Sequence, residues 1–123
     1  LTEKRDSLPA GVIVQAVPFA APHLMLVEAS NILRRAVLAG EITDDVASLA
    51  HADLLVLPVE VFPFPPFALR VWELRSTVTS YDGWHVALAE GLGAPLATLD
   101  HRLTRAPGPR CDFRTPPTAE RDL

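Results

Sequence analysis

Read for its apolar positions, the 123-residue chain breaks into short alternating blocks. Residues 12–17 (VIVQAV) are apolar and β-branched, the pattern of a buried strand. Pro22 then opens a helical stretch, HLMLVEASNILRRAVLA, that stops at Gly40. Thr43 stands as the cap of the next helix, with Asp44 and Asp45 in its first turn, where the positive helix end favours acids. Val46, Leu49, Ala50 and Leu54 carry that helix towards Leu57. Val59–Phe62 (VEVF) reads as a strand, and Pro63 to Pro66 open a helix bearing Leu69, Trp72 and Leu74. Thr79-Ser80-Tyr81-Asp82 caps a helix through Val86 and Leu88 to Leu92, closed by Gly93. Residues 95–99 (PLATL) form a short buried strand ending at Asp100, and after a helical turn a last strand covers residues 110–113.

Helices of roughly 10 to 15 residues between short apolar strands predict a parallel α/β sheet covered on both faces. In such sheets sites gather beyond the carboxyl ends of the strands and at neighbouring helix starts. Residues 1–10 read as a tail, 11–115 as one domain and 116–123 as a second tail, and no internal repeat is visible.

Composition narrows the function classes. At 49% hydrophobic and 21% charged, the chain is an ordinary globular domain rather than a disordered one. Its 12 prolines, about twice the usual share of roughly 5%, predict short, sharply bounded elements. Cys111 is the single cysteine, which excludes an intrachain disulfide framework and fits a reducing, cytoplasmic compartment. A net charge of −4 leaves no basic footprint for passive nucleic-acid binding, so handling RNA needs local arginines, a metal or a partner. Lys4 is the sole lysine among the 11 basic residues, and the arginines suit phosphate or carboxylate recognition.

Residues 11–27 are the most apolar stretch, but Gln15, Pro18, Pro22 and His23 spoil a spanning helix, so no membrane role is expected. The same start imitates a signal peptide, against which stand Glu3 and Asp6 in the leading region and Pro18 in the apolar run. The first residue is Leu rather than Met, which leaves a longer gene product open. GxxxxGK, HExxH and GxSxG are absent, the four histidines lack zinc-ligand spacing, and Gly91-Leu92-Gly93 is better read as a helix stop than as a dinucleotide loop.

Three acids then stand out. Glu28 lies inside an apolar helix, with Asn31 one turn and Arg35 about two turns away on one stripe. Asp82 begins a helix three residues after Thr79, and Asp100 ends a buried strand. Each has an ordinary explanation: a solvated helix face for Glu28, a reciprocal capping box with Thr79 for Asp82, an N-cap for Asp100. Together they are a feasible way to gather carboxylates at one rim of a sheet. Gathered carboxylates repel, and Mg²⁺ or Mn²⁺ relieves this while favouring phosphodiester chemistry.

These segments, HLMLVEASNILRR with Glu28, TSYDGWHVALAEGLG with Asp82 and ATLDHRL with Asp100, resemble the PIN-domain ribonucleases, and among them the VapC-type toxins of bacterial toxin–antitoxin pairs. AAPHL, WELR and RAPGPRC add to the resemblance, which runs from about residue 18 to 116. It implies a three-layer α/β/α fold with a short parallel sheet and endonucleolytic cleavage of RNA with Mg²⁺ or Mn²⁺. It also implies a cognate antitoxin and a homodimer. Carried over by motif, Glu28, Asp82 and Asp100 are the catalytic and metal-binding acids, Thr79 or Ser80 bonds a metal water or phosphate, and Arg102 steers phosphate. Arg34, Arg35, Arg70 and Arg75 are material for an antitoxin groove or for RNA.

One departure is large. The family opens with an apolar central strand ending in Asp before Ser or Thr, and the only comparable pair here, Asp6-Ser7, follows polar residues and stands 22 positions before Glu28. The central strand is therefore expected to be absent or replaced, in part by residues 11–17. The competing expectation is a truncated, catalytically weak or inactive PIN domain that binds an antitoxin or dimerises. Gly83 and His85 also depart, since the family more often has Ala and an aromatic residue there.

Overall fold

The computed structural model describes residues 2–3 and 19–116. The strand read at residues 12–17 and the Asp6-Ser7 pair lie outside them. In chain order the elements are β1 (Thr2–Glu3), β2 (Phe19–Pro22), α1 (Leu24–Leu38), α2 (Asp44–Leu55), β3 (Val59–Phe62), a single 3₁₀ turn (Pro65–Phe67), α3 (Ala68–Glu73), α4 (Ser80–Leu92), β4 (Leu96–Ala97), α5 (His101–Arg105) and β5 (Phe113–Arg114).

The strands form one sheet in the order β3-β2-β1-β4-β5. β2 pairs with β3 in parallel, from Phe19 opposite Val59 to Pro22 opposite Phe62, and β4 pairs with β5 in parallel. β1 lies between these pairs and runs antiparallel to both β2 and β4. The α/β class therefore holds, and the parallel pairs are as expected. The centre of the sheet differs: Thr2 and Glu3, read as part of a tail, are a strand.

Local chemistry explains most boundaries. Thr43 Oγ1 accepts the Val46 N–H at 3.3 Å and starts α2, and Thr79 Oγ1 accepts the Asp82 N–H at 3.2 Å and starts α4. Gly93 ends α4 at φ +62°, the left-handed region open to glycine. α1 begins at Leu24 without a side-chain cap, because Pro22 closes β2 instead of opening the helix. Proline suits a strand end, where no further N–H is needed for the ladder. The next donor, His23 N–H, reaches the Phe62 carbonyl at 2.9 Å.

The core sits where α4 crosses the sheet. Leu74, Val86, Ala89, Leu96 and Leu103 form one buried cluster, with Val78, Cys111 and Phe113 packed on it. α3 packs on α4 through Gly83, where a Cβ would lie 3.3 Å from Val71 Cγ1. The helix cost of about 1 kcal/mol for glycine is thus set against a close helix approach. α1 and α2 pack on each other as a hairpin, and neither fully buries a residue. No helix among the described residues is long and apolar enough to cross a membrane.

Candidate active site

Asp82 and Asp100, 18 positions apart in sequence, line one cavity of about 310 Å³ together with Thr77, Val78, Thr79, Arg102, Leu103 and Ala106. One wall is the α3–α4 connection and the first turn of α4; the other is the β4–α5 junction and α5. Asp82 is placed by the Thr79 cap, which donates no charge but fixes the first turn. The reciprocal bond expected of a capping box, from the Thr79 N–H to the Asp82 carboxylate, is not formed. That leaves the Asp82 side chain without a hydrogen bond or ion pair among the described residues.

Asp100 is held differently. Its Oδ1 accepts the N–H groups of Arg102 at 2.9 Å and Leu103 at 3.3 Å, so it is the N-cap of α5. Its own N–H donates to Thr98 Oγ1 at 3.0 Å. The β4–β5 ladder continues beside it through Thr98 N–H to the Arg114 carbonyl at 3.0 Å. Both readings of Asp100 are therefore compatible: it caps α5 with Oδ1 and still lines the cavity. The Arg102 guanidinium is almost fully exposed, with Nε 3.8 Å from Asp100 Oδ1, long for a hydrogen bond but close enough to add positive charge at the rim.

The remaining expected residues divide. Thr79 lines the cavity; Ser80, exposed at the start of α4, does not. Glu28 is exposed on α1 and is not among the residues of this cavity. Among the described residues no three His, Cys, Asp or Glu side chains are grouped so as to hold an ion. Glu28, Asn31 and Arg35 lie along α1 at helical spacing, and Asn31 Oδ1 accepts from Arg34 Nη1 at 3.5 Å. The donor set of the cavity still suits a hard cation, since it offers two carboxylates and two hydroxyls. Mg²⁺ is commonly held by one or two protein carboxylates while water and phosphate oxygens complete its shell.

Of the arginines expected at a partner or RNA surface, Arg70 is largely shielded in an internal pair, whereas Arg75 stays exposed. Arg70 is tied to Glu90, with Nε to Oε1 at 2.7 Å and Nη2 to Oε2 at 3.1 Å. Arg75 lies over the Trp72 ring, 4.5 Å from its centre. Arg34 and Arg35 remain exposed on α1. Thr77 was not singled out in the sequence, since a threonine between two helices carries no pattern of its own.

Among the described residues, Cys111 and His85 lack the activation that a nucleophile or a base at neutral pH requires. Burial pushes the Cys111 thiol up to about 11, so it stays protonated at neutral pH and is a poor nucleophile. Burial also pulls His85 down to about 4, and its Nδ1 has no hydrogen-bond partner among the described residues.

Comparison with known proteins follows the same lines. The PIN domain family model matches residues 10–109. Ribonuclease VapC1 of Mycobacterium tuberculosis is 43% identical over 95 residues, covering 76% of this chain and 71% of that one. Ribonuclease VapC12 of the same species is 44% identical over 88 residues, 72% of this chain and 68% of its own. Ribonuclease VapC9, also from M. tuberculosis, is 30% identical over 105 residues, 85% and 83% of the two chains.

Proposed function

The chain belongs to the PIN-domain family, and from that premise we propose that it is a metal-dependent endoribonuclease, the toxin of a toxin–antitoxin pair, acting in the cytoplasm. The observation that carries the reading is the shared cavity of Asp82 and Asp100. Asp82 and Asp100 would hold Mg²⁺ or Mn²⁺, and Glu28 is the third acid that the family resemblance assigns. When bound, the metal supplies an activated water and neutralises charge developing on the scissile phosphate.

The chain's own residues do the positioning. Asp100 is oriented by two backbone N–H groups, which fix its direction. Asp82 stands at the positive end of α4, where a carboxylate is stabilised. Thr79 presents its hydroxyl to a phosphate or its water, the Thr77 hydroxyl being donated to the Leu74 carbonyl, and Arg102 draws the RNA backbone towards an otherwise acidic molecule.

The test is cleavage of structured RNA with Mg²⁺, with and without EDTA. Asp82→Asn and Asp100→Asn are each expected to lower the rate by at least about a hundredfold, a few kcal/mol of transition-state stabilisation. Asparagine also caps helices well, so Asp100→Asn removes charge while keeping α5 in place. Cleavage that survives Asp82→Asn overturns the site.

A second reading is supported by the place of Glu28, outside the cavity, and by the short antiparallel β1. In this reading the chain binds an antitoxin or a second copy without cutting. The α1–α2 hairpin offers a mostly apolar cavity of about 370 Å³ lined by Ile32, Leu33, Leu54 and Leu57 among others, with Asp53 also in its lining. Tight antitoxin binding without cleavage would select it. Homodimerisation is tested by sedimentation at tens of micromolar, where a monomer would count against it.

A further inference from the structure

We propose that Arg70 and Glu90 are positioning residues for the Asp82–Asp100 cavity, a role that rests on the proposed function of that cavity. The two walls come from different parts of the chain, and something must fix their separation. After Ala106, the last residue of the second wall, the chain turns at Pro107-Gly108-Pro109 and runs back to β5. This turn is tied to the helices of the first wall at two points. Arg70 Nη2 donates to the Gly108 carbonyl at 2.8 Å, and Glu90 Oε2 accepts the Arg110 N–H at 2.7 Å.

Arg70 on α3 and Glu90 on α4 are joined by their two-bond pair, so three chain segments, α3, α4 and the turn, meet at one guanidinium–carboxylate contact. Gly108 seats the turn closely. It has φ +111°, and a Cβ there would lie 3.0 Å from Leu74 Cδ2 and 3.6 Å from Thr77 Oγ1. Thr77, on the first wall, lies beside this turn, and Ala106, on the second, precedes it by one residue.

The chemistry chosen for the joint is informative. Both side chains are largely shielded, at 21% and 17% exposure. A shielded ion pair adds little stability over apolar packing of the same volume. What a guanidinium and a carboxylate add is direction: two parallel bonds with fixed geometry, and a further donor left for Gly108. Lysine, with one compact charge, reproduces the attraction but not the fork. The two walls that carry Asp82 and Asp100 are thereby held at one separation, which a two-carboxylate metal site requires.

The experiment uses the full chain as wild type, Glu90→Gln, Arg70→Lys and Arg70→Met. Two quantities are read on folded protein: the affinity for Mn²⁺ alone, and amide hydrogen exchange at Arg102 and Leu103, whose N–H groups Asp100 caps, with the Leu88 amide as the core reference. Glu90→Gln and Arg70→Met are expected to weaken Mn²⁺ binding and speed exchange at Arg102 and Leu103 by about tenfold each, the effect of roughly one lost charged hydrogen bond. Exchange at Leu88 should change less, and Arg70→Lys should recover part of the loss. The proposal is overturned if Mn²⁺ affinity and exchange at Arg102 and Leu103 stay at wild-type values, or if exchange there moves only in step with Leu88. Should Arg70→Met not fold, Glu90→Gln and Arg70→Lys decide. Should the wild type itself not bind Mn²⁺, the metal reading of the cavity fails, and the exchange measurement alone decides whether Arg70 and Glu90 position Asp100.

Discussion

Helix α4 buries Gly83, Val86, Ala87, Leu88 and Ala89, whereas α1 and α2, of similar length, fully bury no residue and expose Val27, Ile32, Leu49 and Leu55. The half built on α3, α4, β4 and α5 has its own core and its own polar joint. The α1–α2 hairpin is held chiefly by packing on itself, with a bond between His51 Nε2 and Ser30 Oγ at 2.9 Å. Asp82 and Asp100 belong to the cored half, and Glu28 to the hairpin. A hairpin without buried side chains sits at the low-stability end of a structure and can shift at little cost. The geometry of the two-acid cavity is therefore set by the core, while the place of Glu28 is set by whatever the hairpin packs against.

The largest expected effect breaks the comparison at its strong side. Leu88→Ala should cost about 2–5 kcal/mol in a denaturant titration, the range for a large-to-small change in a packed core. Gly108→Ala should cost about 1–3 kcal/mol, because alanine is strained at positive φ and its methyl meets Leu74. A thermal shift near zero would show that the turn is not clamped as described.

Acid should loosen the cored half in two stages. His85 is pulled down from 6.5 to about 4 by burial, so the unfolded chain binds the extra proton first. Stability from this group is complete above pH 6.5 and falls as the pH drops towards 4. His85→Phe should flatten that slope in melting temperature against pH. Burial by itself would raise the Glu90 carboxyl, but hydrogen bonds from Arg70 and the Arg110 N–H outweigh it and hold the group below its usual value. The stability it brings is present above about pH 4.5 and lost below, and Glu90→Gln should remove that lower stage.

The smallest effect is expected on the weak side. Leu49→Ser, on the exposed face of α2, should change unfolding free energy by less than about 0.5 kcal/mol. A cost like that of Leu88→Ala would mean that the hairpin is packed after all, and the comparison would fail.

What was legible in the sequence was local. The caps at Thr43, Thr79 and Asp100, the stop at Gly93 and the VEVF strand each depend on a few neighbouring residues, and all are present. Phe19–Pro22 escaped because FAAP has no strand periodicity; Ala20 and Ala21 are strand residues only because the sheet buries them. β1 escaped because Thr-Glu is too short and too polar to read as a central strand. The charges misled in the same way. Arg70 looked like surface, since its partner Glu90 is 20 residues away and no pattern links them. Glu28 carries a sequence motif, but a motif does not fix where a hairpin rests.

The double use of Asp100 has a consequence at the level of the gene. Codons for aspartate and asparagine differ by one base, and asparagine would keep α5 started while withdrawing the negative charge from the cavity. If Asp100 holds the metal as proposed, a single transition separates this chain from a version that is soundly assembled and chemically mute. Cellular quality control, which senses unfolding, would leave such an allele alone, so it could persist as a silent competitor for whatever its intact counterpart binds.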